Sequence, residues 1–127
     1  MKPLELIDSI YEAFGRGDLG YILSKVAPDV SWKGPNTVPW GGTHTGPEGV
    51  QAFFAALGGN LEITGMQVRQ RITQGDSVVY AGSFEGRGRK SGKTAASDFC
   101  WVWHVKDGLV SSYEGHFDTA AVVAALT

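Results

Sequence analysis

The sequence predicts an α+β fold in which a curved, mainly antiparallel β-sheet wraps around three N-terminal helices and encloses an apolar pocket. Two observations predict it. Apolar residues recur with helical spacing in the first half of the chain and with a period of two from Leu61 onward. Tight-turn signals then divide the second half into strands rich in aromatic residues. Because helices precede strands without alternating with them, we expect one domain over residues 1–127.

The first three helices are predicted from apolar spacing and from signals at their ends. The first presents an apolar face at the spacing i, i+3, i+4, i+7 from Ile7, and a Gly-Arg-Gly sequence ends it. The second begins after Asp18, which can cap it, and ends at Pro28. The third begins with a predicted capping box, in which Thr45 bonds a first-turn N–H and Glu48 reaches back.

The remaining elements are predicted to be strands, followed by a short closing helix at residues 119–126. A short strand at residues 30–32 and a loop at 33–42 precede the third helix. Long strands flank the turns at residues 74–76 and 107–108 and a basic loop at 87–93. The strand at residues 96–106 is apolar on both faces, with Trp101 and Trp103 on one and Cys100 and Val102 on the other. Such a strand is central, or one face meets a second copy in a homodimer.

Length and composition restrict the classes of protein and partner. The 127 residues suit one domain with one core. A net charge of −2 gives no electrostatic reason to expect nucleic acid or an anionic membrane as partner. Cys100 is the only cysteine, so an intramolecular disulfide and a thiolate zinc site are excluded. No apolar run approaches the roughly 20 residues that span a bilayer, and the acidic N-terminal segment is unlike a signal peptide. We therefore expect a cytoplasmic protein.

Several short motifs together resemble a known superfamily, namely that of the SnoaL-like polyketide cyclases, ketosteroid isomerases, limonene epoxide hydrolases and the nuclear transport factor 2 (NTF2) fold. The resemblance is carried by Tyr11–Leu19, Asp29–Trp32, Gly42–Val50 with Phe53–Phe54, and Lys106–Val110 followed by Phe117–Thr119. It implies a cystatin-like α+β cone and an isomerase or cyclase type of chemistry that needs no cofactor. Because this fold carries many reactions, the resemblance specifies the fold more closely than the activity.

The chain departs from the ketosteroid isomerases and is more similar to the SnoaL-like cyclases. Trp32 stands where those isomerases have the aspartate that moves the substrate proton, and Ile10 where they have an oxyanion tyrosine. In SnoaL-like cyclases the resemblance implies an aspartate near the end of the sheet as acid/base, with a histidine nearby. Asp118 matches that aspartate in position. His104 lies near the expected stretch but one strand back.

His116 and Asp118 are the predicted catalytic pair. They lie two residues apart on a predicted strand, so both side chains point to one face. An imidazole beside a carboxylate can act as a general acid/base pair, here removing a proton next to a carbonyl of the ligand. The alternative is that Asp118 caps the last helix and that His116 is an exposed strand residue.

The predicted ligand-binding residues are mainly aromatic. They are Trp32, Trp40, His44, Tyr80, Asp98, Trp101 and Trp103. Flat apolar rings suit a small hydrophobic molecule of a polycyclic or terpenoid-like kind, although the same rings can build the core and a dimer interface. Trp40 and His44 lie on a Gly/Pro-rich loop that can form a lid or mouth, or His44 only marks the approach to the third helix. Asp98 is either a pocket carboxylate with a raised pKa or a solvated strand end.

Other site types are poorly supported by the sequence. The basic loop at residues 87–93 resembles a phosphate loop but has Arg87 where a glycine is needed and a strand where a helix is needed. Three histidines without ligand spacing make no metal site. The predicted function is therefore binding of a small hydrophobic molecule with acid/base chemistry on it. The alternatives are a ligand-binding protein without chemistry and an epoxide hydrolase, in which Arg69 or Arg71 would stand between Asp98 and Asp118.

Overall fold

The computed structural model describes residues 1–127. Four helices and six strands follow one another in the order α1 (Pro3–Gly15), α2 (Leu19–Ser24), β1 (Val26–Gly34), β2 (Gly42–Thr45), α3 (Gly46–Asn60), β3 (Leu61–Gln74), β4 (Ser77–Gly88), β5 (Thr94–Lys106), β6 (Leu109–Phe117) and α4 (Thr119–Leu126). None of these helices is long and apolar enough to cross a membrane.

The six strands form one curved, unclosed sheet in the order β2-β1-β6-β5-β4-β3. All neighbouring strands are antiparallel except β1 and β6, which run parallel, with Trp32 opposite Tyr113. The predicted mainly antiparallel α+β fold is confirmed. The hairpin predicted between β5 and β6 is also confirmed: Asp107 and Gly108 both have positive φ, of 53° and 77°, as a type I′ turn requires.

Three local predictions are wrong. Helix α2 ends at Ser24 rather than at Pro28, because Val26 already begins β1, which is longer than the predicted strand. The predicted loop at residues 33–42 is shorter, because β1 continues to Gly34 and an unpredicted strand, β2, begins at Gly42. Thr45 is the N-cap of α3, but its side chain makes no capping hydrogen bond, so the capping box does not form.

The core lies between the helices and the inner face of the sheet, where 22 buried hydrophobic residues form one cluster. Along β4 and β5 buried and more exposed residues alternate, so Val78, Tyr80 and Phe84 share the inner face with Phe99 and Trp103. This alternation assigns the two sides of the sheet: the inner face contacts α1 and α3, and the outer face carries the intervening residues.

Candidate functional site

An apolar cavity of about 90 Å³ lies between the helices and the inner face of the sheet. Seventeen side chains line it, and all of them are hydrophobic. They come from α1, α2, α3, the loop before β2 and every strand except β2: Ile10, Tyr11, Phe14, Ile22, Trp32, Trp40, Phe53, Phe54, Leu57, Leu61, Ile63, Met66, Phe84, Trp101, Trp103, Tyr113 and Phe117. Since a cavity of roughly 150 Å³ accommodates benzene, this space by itself holds only part of a ring system.

A wider vestibule of about 500 Å³ adjoins this cavity and shares six of its lining residues. The shared residues are Tyr11, Phe14, Leu57, Leu61, Ile63 and Met66. Charged groups occur only in the vestibule, as Glu62 and Arg89. We therefore interpret the vestibule as the entrance, through which a ligand larger than the cavity extends toward solvent.

Contacts between aromatic rings hold the cavity wall in place. The ring of Trp32 lies 4.5 Å from that of Tyr113 and 5.3 Å from that of Trp103, centroid to centroid. Phe53 meets Trp32 edge to face at 5.7 Å, so helix α3 braces the β1 side of the wall. Offset and edge-to-face arrangements of this kind are the favoured geometries of aromatic pairs. The wall is consequently pre-formed rather than assembled by the ligand.

Few polar atoms belong to the cavity wall. The indole N–H of Trp103 donates a hydrogen bond to the Tyr11 hydroxyl over 3.2 Å. Burial raises the pKa of the Tyr11 hydroxyl well above its ordinary value, and it also raises the pKa of Tyr113. Both phenols therefore keep their protons at neutral pH and are available as hydrogen-bond donors. No carboxylate, imidazole or amine lines the cavity.

A polar cluster behind the wall ties α1 to the sheet. The Tyr80 hydroxyl and Arg71 both donate hydrogen bonds to the Asp8 carboxylate, the latter over 2.7 Å. Tyr80 and Arg71 are register partners on β4 and β3, so they meet Asp8 from one face of the sheet. Tyr80 is buried and stacks on Tyr11 at 4.2 Å but does not line the cavity. The ring of Tyr11 thus separates Tyr80, a predicted ligand-binding residue, from the cavity.

The predicted catalytic pair lies outside the cavity. Asp118 is exposed and caps α4, its carboxylate accepting a hydrogen bond from the backbone N–H of Ala121 at 3.1 Å. His116 is exposed on the outer face of β6, where its Nε2 lies 3.2 Å from Oε2 of Glu114. The strand alternation explains the position of His116, because the next residue, Phe117, points inward and lines the cavity, whereas Asp118 lies beyond the end of β6.

The other predicted polar site residues also lie away from the cavity. Asp98 is exposed and forms an ion pair with Arg69 over 3.0 Å. His44 is half-buried, and its Nε2 lies 3.1 Å from the carbonyl oxygens of both Trp40 and Gly41. The His44 side chain therefore stabilises the loop before β2 and does not line the cavity. The epoxide hydrolase alternative needs an arginine between Asp98 and Asp118, and none lies there. No group of three or more His, Cys, Asp or Glu side chains is placed to hold a metal ion.

The structure brings the four predicted tryptophans together at the cavity: Trp32, Trp40, Trp101 and Trp103 all line it. Sequence reasoning missed the two phenols, Tyr11 and Tyr113. A signal for Tyr113 was present, because Tyr113 and Phe117 are in phase with a period of two and His116 is out of phase with both.

These features define a class of protein: an NTF2-like α+β cone with an apolar cavity. The sequence similarity goes further, since residues 7–113 match the SnoaL-like domain. The chain therefore belongs to the SnoaL-like domain family. No curated protein matches the sequence.

Solved structures support this assignment. The chain is similar to an NTF2-like protein of unknown function from Burkholderia pseudomallei, with 30% identity, a TM-score of 0.91 and coverage of 98% of this chain and 97% of that one. It is similar to TerC co-crystallized with polyporic acid, with 33% identity, a TM-score of 0.84 and coverage of 98% and 97%. A putative SnoaL-like polyketide cyclase from Mesorhizobium loti shares the fold at 20% identity, with a TM-score of 0.75 and coverage of 91% and 99%.

Proposed function

We propose that this protein binds a small, largely apolar aromatic molecule in its cavity, with one end of the ligand in the vestibule. The observation that carries the proposal is the wholly hydrophobic lining, in which aromatic rings from α1, α3 and the four strands β1, β4, β5 and β6 converge on one cavity. Apolar pockets with few polar groups are the usual form of small-molecule sites. The similarity to TerC, which was co-crystallized with polyporic acid, supports the same conclusion.

The chain offers a direct test, because all four of its tryptophans line the cavity. We expect polyporic acid, and the simple hydrocarbon indane, to change the tryptophan fluorescence of the wild-type protein in a saturable way. A linear, unsaturable response to both compounds would contradict the proposal. Calorimetry gives the affinity independently of the optical signal.

A pair of variants on one helix locates the binding. Leu57 lines both the cavity and the vestibule, so Leu57→Trp narrows the passage between them. Ala55 lies on the same helix but is exposed and lines neither space, so Ala55→Trp is the matched control. We expect Leu57→Trp to weaken binding at least tenfold in calorimetry and Ala55→Trp to leave it unchanged. Equal affinities would place the ligand elsewhere.

Isomerase or cyclase chemistry by Asp118 and His116 remains a prediction from family resemblance. In this structure both side chains are exposed, and Asp118 is occupied as a helix cap. The function best supported is therefore ligand binding without a base in the cavity.

The outer face of the sheet supports the predicted homodimer. Val79 and Val102 are register partners there, as are Ala81 and Cys100, and Ile72 extends the row with half of its side chain exposed. We propose that a second copy covers this apolar patch. Sedimentation velocity should give the mass of a dimer for the wild type and of a monomer for Val102→Glu. A monomeric wild type would contradict the homodimer.

A further inference from the structure

The indole N–H of Trp32 is buried without a hydrogen-bond partner. The side chain is 2% exposed, and its Nε1 is the buried side-chain polar atom for which the protein provides no acceptor. The neighbouring Trp103 differs, since its N–H is satisfied by Tyr11. A buried donor left unpaired carries the full cost of its lost hydration, so such a group calls for a partner from outside the chain.

A second donor without a hydrogen-bond partner in the protein belongs to the neighbouring ring, that of Tyr113, whose centroid lies 4.5 Å from that of Trp32. Tyr113 is the direct register partner of Trp32 on the neighbouring strand, it is 8% exposed, and its hydroxyl makes no hydrogen bond within the protein. The hydroxyl lies over Gly115, where a Cβ atom would be 2.6 Å from its oxygen. Because Gly115 has no side chain, the phenol of Tyr113 can occupy this space. The rings of both residues line the cavity, and the indole nitrogen of Trp32 is buried in its wall.

We infer that the Trp32 indole N–H and the Tyr113 hydroxyl form a donor pair that binds an acceptor oxygen of the ligand, a carbonyl or a phenolate. The inference rests on the proposed function and specifies the class of ligand. An indole N–H only donates, so an ammonium group, which has no acceptor, would leave Trp32 unsatisfied. The cavity lining has no carboxylate to balance a cation, which also disfavours a basic ligand.

A pair of isosteric probes tests this preference. Indane and 1-indanone have nearly the same shape and differ by one carbonyl oxygen. We expect 1-indanone to bind the wild-type protein more tightly than indane, although water solvates the ketone better. The infrared carbonyl stretch of bound 1-indanone should shift to lower frequency than that of the ketone in an apolar solvent, because hydrogen bonds weaken the C=O bond.

Three variants complete the test. Tyr113→Phe and Trp32→Phe should each reduce the ratio of 1-indanone affinity to indane affinity by about twofold to tenfold, the usual effect of one hydrogen bond. A change in packing alters the affinities of 1-indanone and indane alike, so it cancels in their ratio. Tyr80→Phe is the control, because its hydroxyl is already bonded to Asp8 and does not line the cavity. The ratio should stay at the wild-type value in that variant.

The outcomes separate this inference from the proposed function. If indane and 1-indanone both bind but with a ratio that neither cavity variant changes, the donor pair is wrong and apolar binding stands. If neither they nor polyporic acid bind the wild-type protein, the proposed function itself fails. An unshifted carbonyl stretch of bound 1-indanone would also overturn the donor pair.

Discussion

The carboxylate of Asp118 accepts a hydrogen bond from the backbone N–H of Ala121 and so closes the first turn of α4. The backbone N–H of Asp118 in turn donates to the Ser97 hydroxyl on β5 over 2.8 Å. A residue held in this way at a helix N-terminus stabilises the fold. Its contribution to chemistry can be tested separately from its contribution to stability.

Asp118→Ala should lower the free energy of unfolding by about 0.5–2 kcal/mol, because a lost N-cap leaves a first-turn N–H unpaired. Asp118→Asn should cost little, since asparagine caps as well as aspartate. Urea denaturation of the three proteins measures both effects. Asparagine cannot act as an acid or base, so a stable Asp118→Asn protein that loses turnover on a cognate substrate would restore the catalytic assignment. Unchanged ligand binding is expected in Asp118→Asn.

Stability should fall at alkaline pH. The pKa values of Tyr11 and Tyr113 are raised by burial, so the folded state keeps these protons above pH 10 whereas the unfolded state loses them. The unfolded state then binds fewer protons, and the free energy of unfolding decreases by about 1.4 kcal/mol per pH unit for each tyrosine. Below pH 10 both tyrosines are protonated in the folded and the unfolded state, so they do not make the free energy of unfolding depend on pH.

Urea denaturation at several pH values between 9 and 11.5 measures this slope. Tyr113→Phe removes one of the two groups, so its stability should decline less steeply above pH 10 than that of the wild type. Parallel curves for the two proteins would show that Tyr113 titrates in the folded state as it does in the unfolded chain.

Gly115→Ala should disturb the cavity through Tyr113. The added Cβ would lie 2.6 Å from the Tyr113 hydroxyl oxygen and 3.2 Å from its Cζ, so the phenol must move. Overpacking of this kind costs about 1–3 kcal/mol of unfolding free energy. The double variant Gly115→Ala with Tyr113→Phe removes the closer contact and should recover part of the loss. Strict additivity of the two single effects would contradict a direct contact.

Arg89 should favour ligands with an acidic end in the vestibule. Its Nε donates to the carbonyl of Gly58, and no carboxylate lies within ion-pair distance of it, whereas Glu62 is paired with Arg87 over 2.6 Å. Arg89→Gln should weaken binding of 2-naphthoate about twofold to fivefold at low salt, as expected for an exposed pair, and leave 2-naphthamide unchanged. Lys90→Gln is the control, since Lys90 does not line the vestibule. An equal loss in both variants would indicate a general effect of charge.

The fold was largely predictable because its signals are local. Helical spacing from Ile7, the period of two from Leu61 and the Asp107–Gly108 turn each depend on a few neighbouring residues. Strand β2 was not predictable, since its four residues are held by pairing with β1 rather than by their own propensity. The early end of α2 has the same kind of cause, because Val26 pairs with Val110 in β6.

The site was less predictable because strand alternation separates two faces without saying which is concave. His116 lies on the outer face of β6, as the inward positions of Tyr113 and Phe117 show, and Asp118 lies beyond the end of the strand as the N-cap of α4. The four tryptophans were predicted to be ligand-binding residues only because their rings are large, flat and apolar. The roles of Trp32 and Tyr113 depend on their being register partners across two strands distant in sequence, which no local pattern records.

The parallel pairing of β1 with β6 affects the order in which the protein can fold during its synthesis. The wall of the cavity at Trp32 is completed only when Tyr113, near the end of the chain, takes its place beside it. During synthesis the N-terminal helices and β1 therefore leave the ribosome well before their partner strand exists. Contacts between distant parts of the sequence also slow folding, since their loops must close before the contacts form. A ligand that binds the finished cavity would stabilise the last of these contacts and, by mass action, the mature protein.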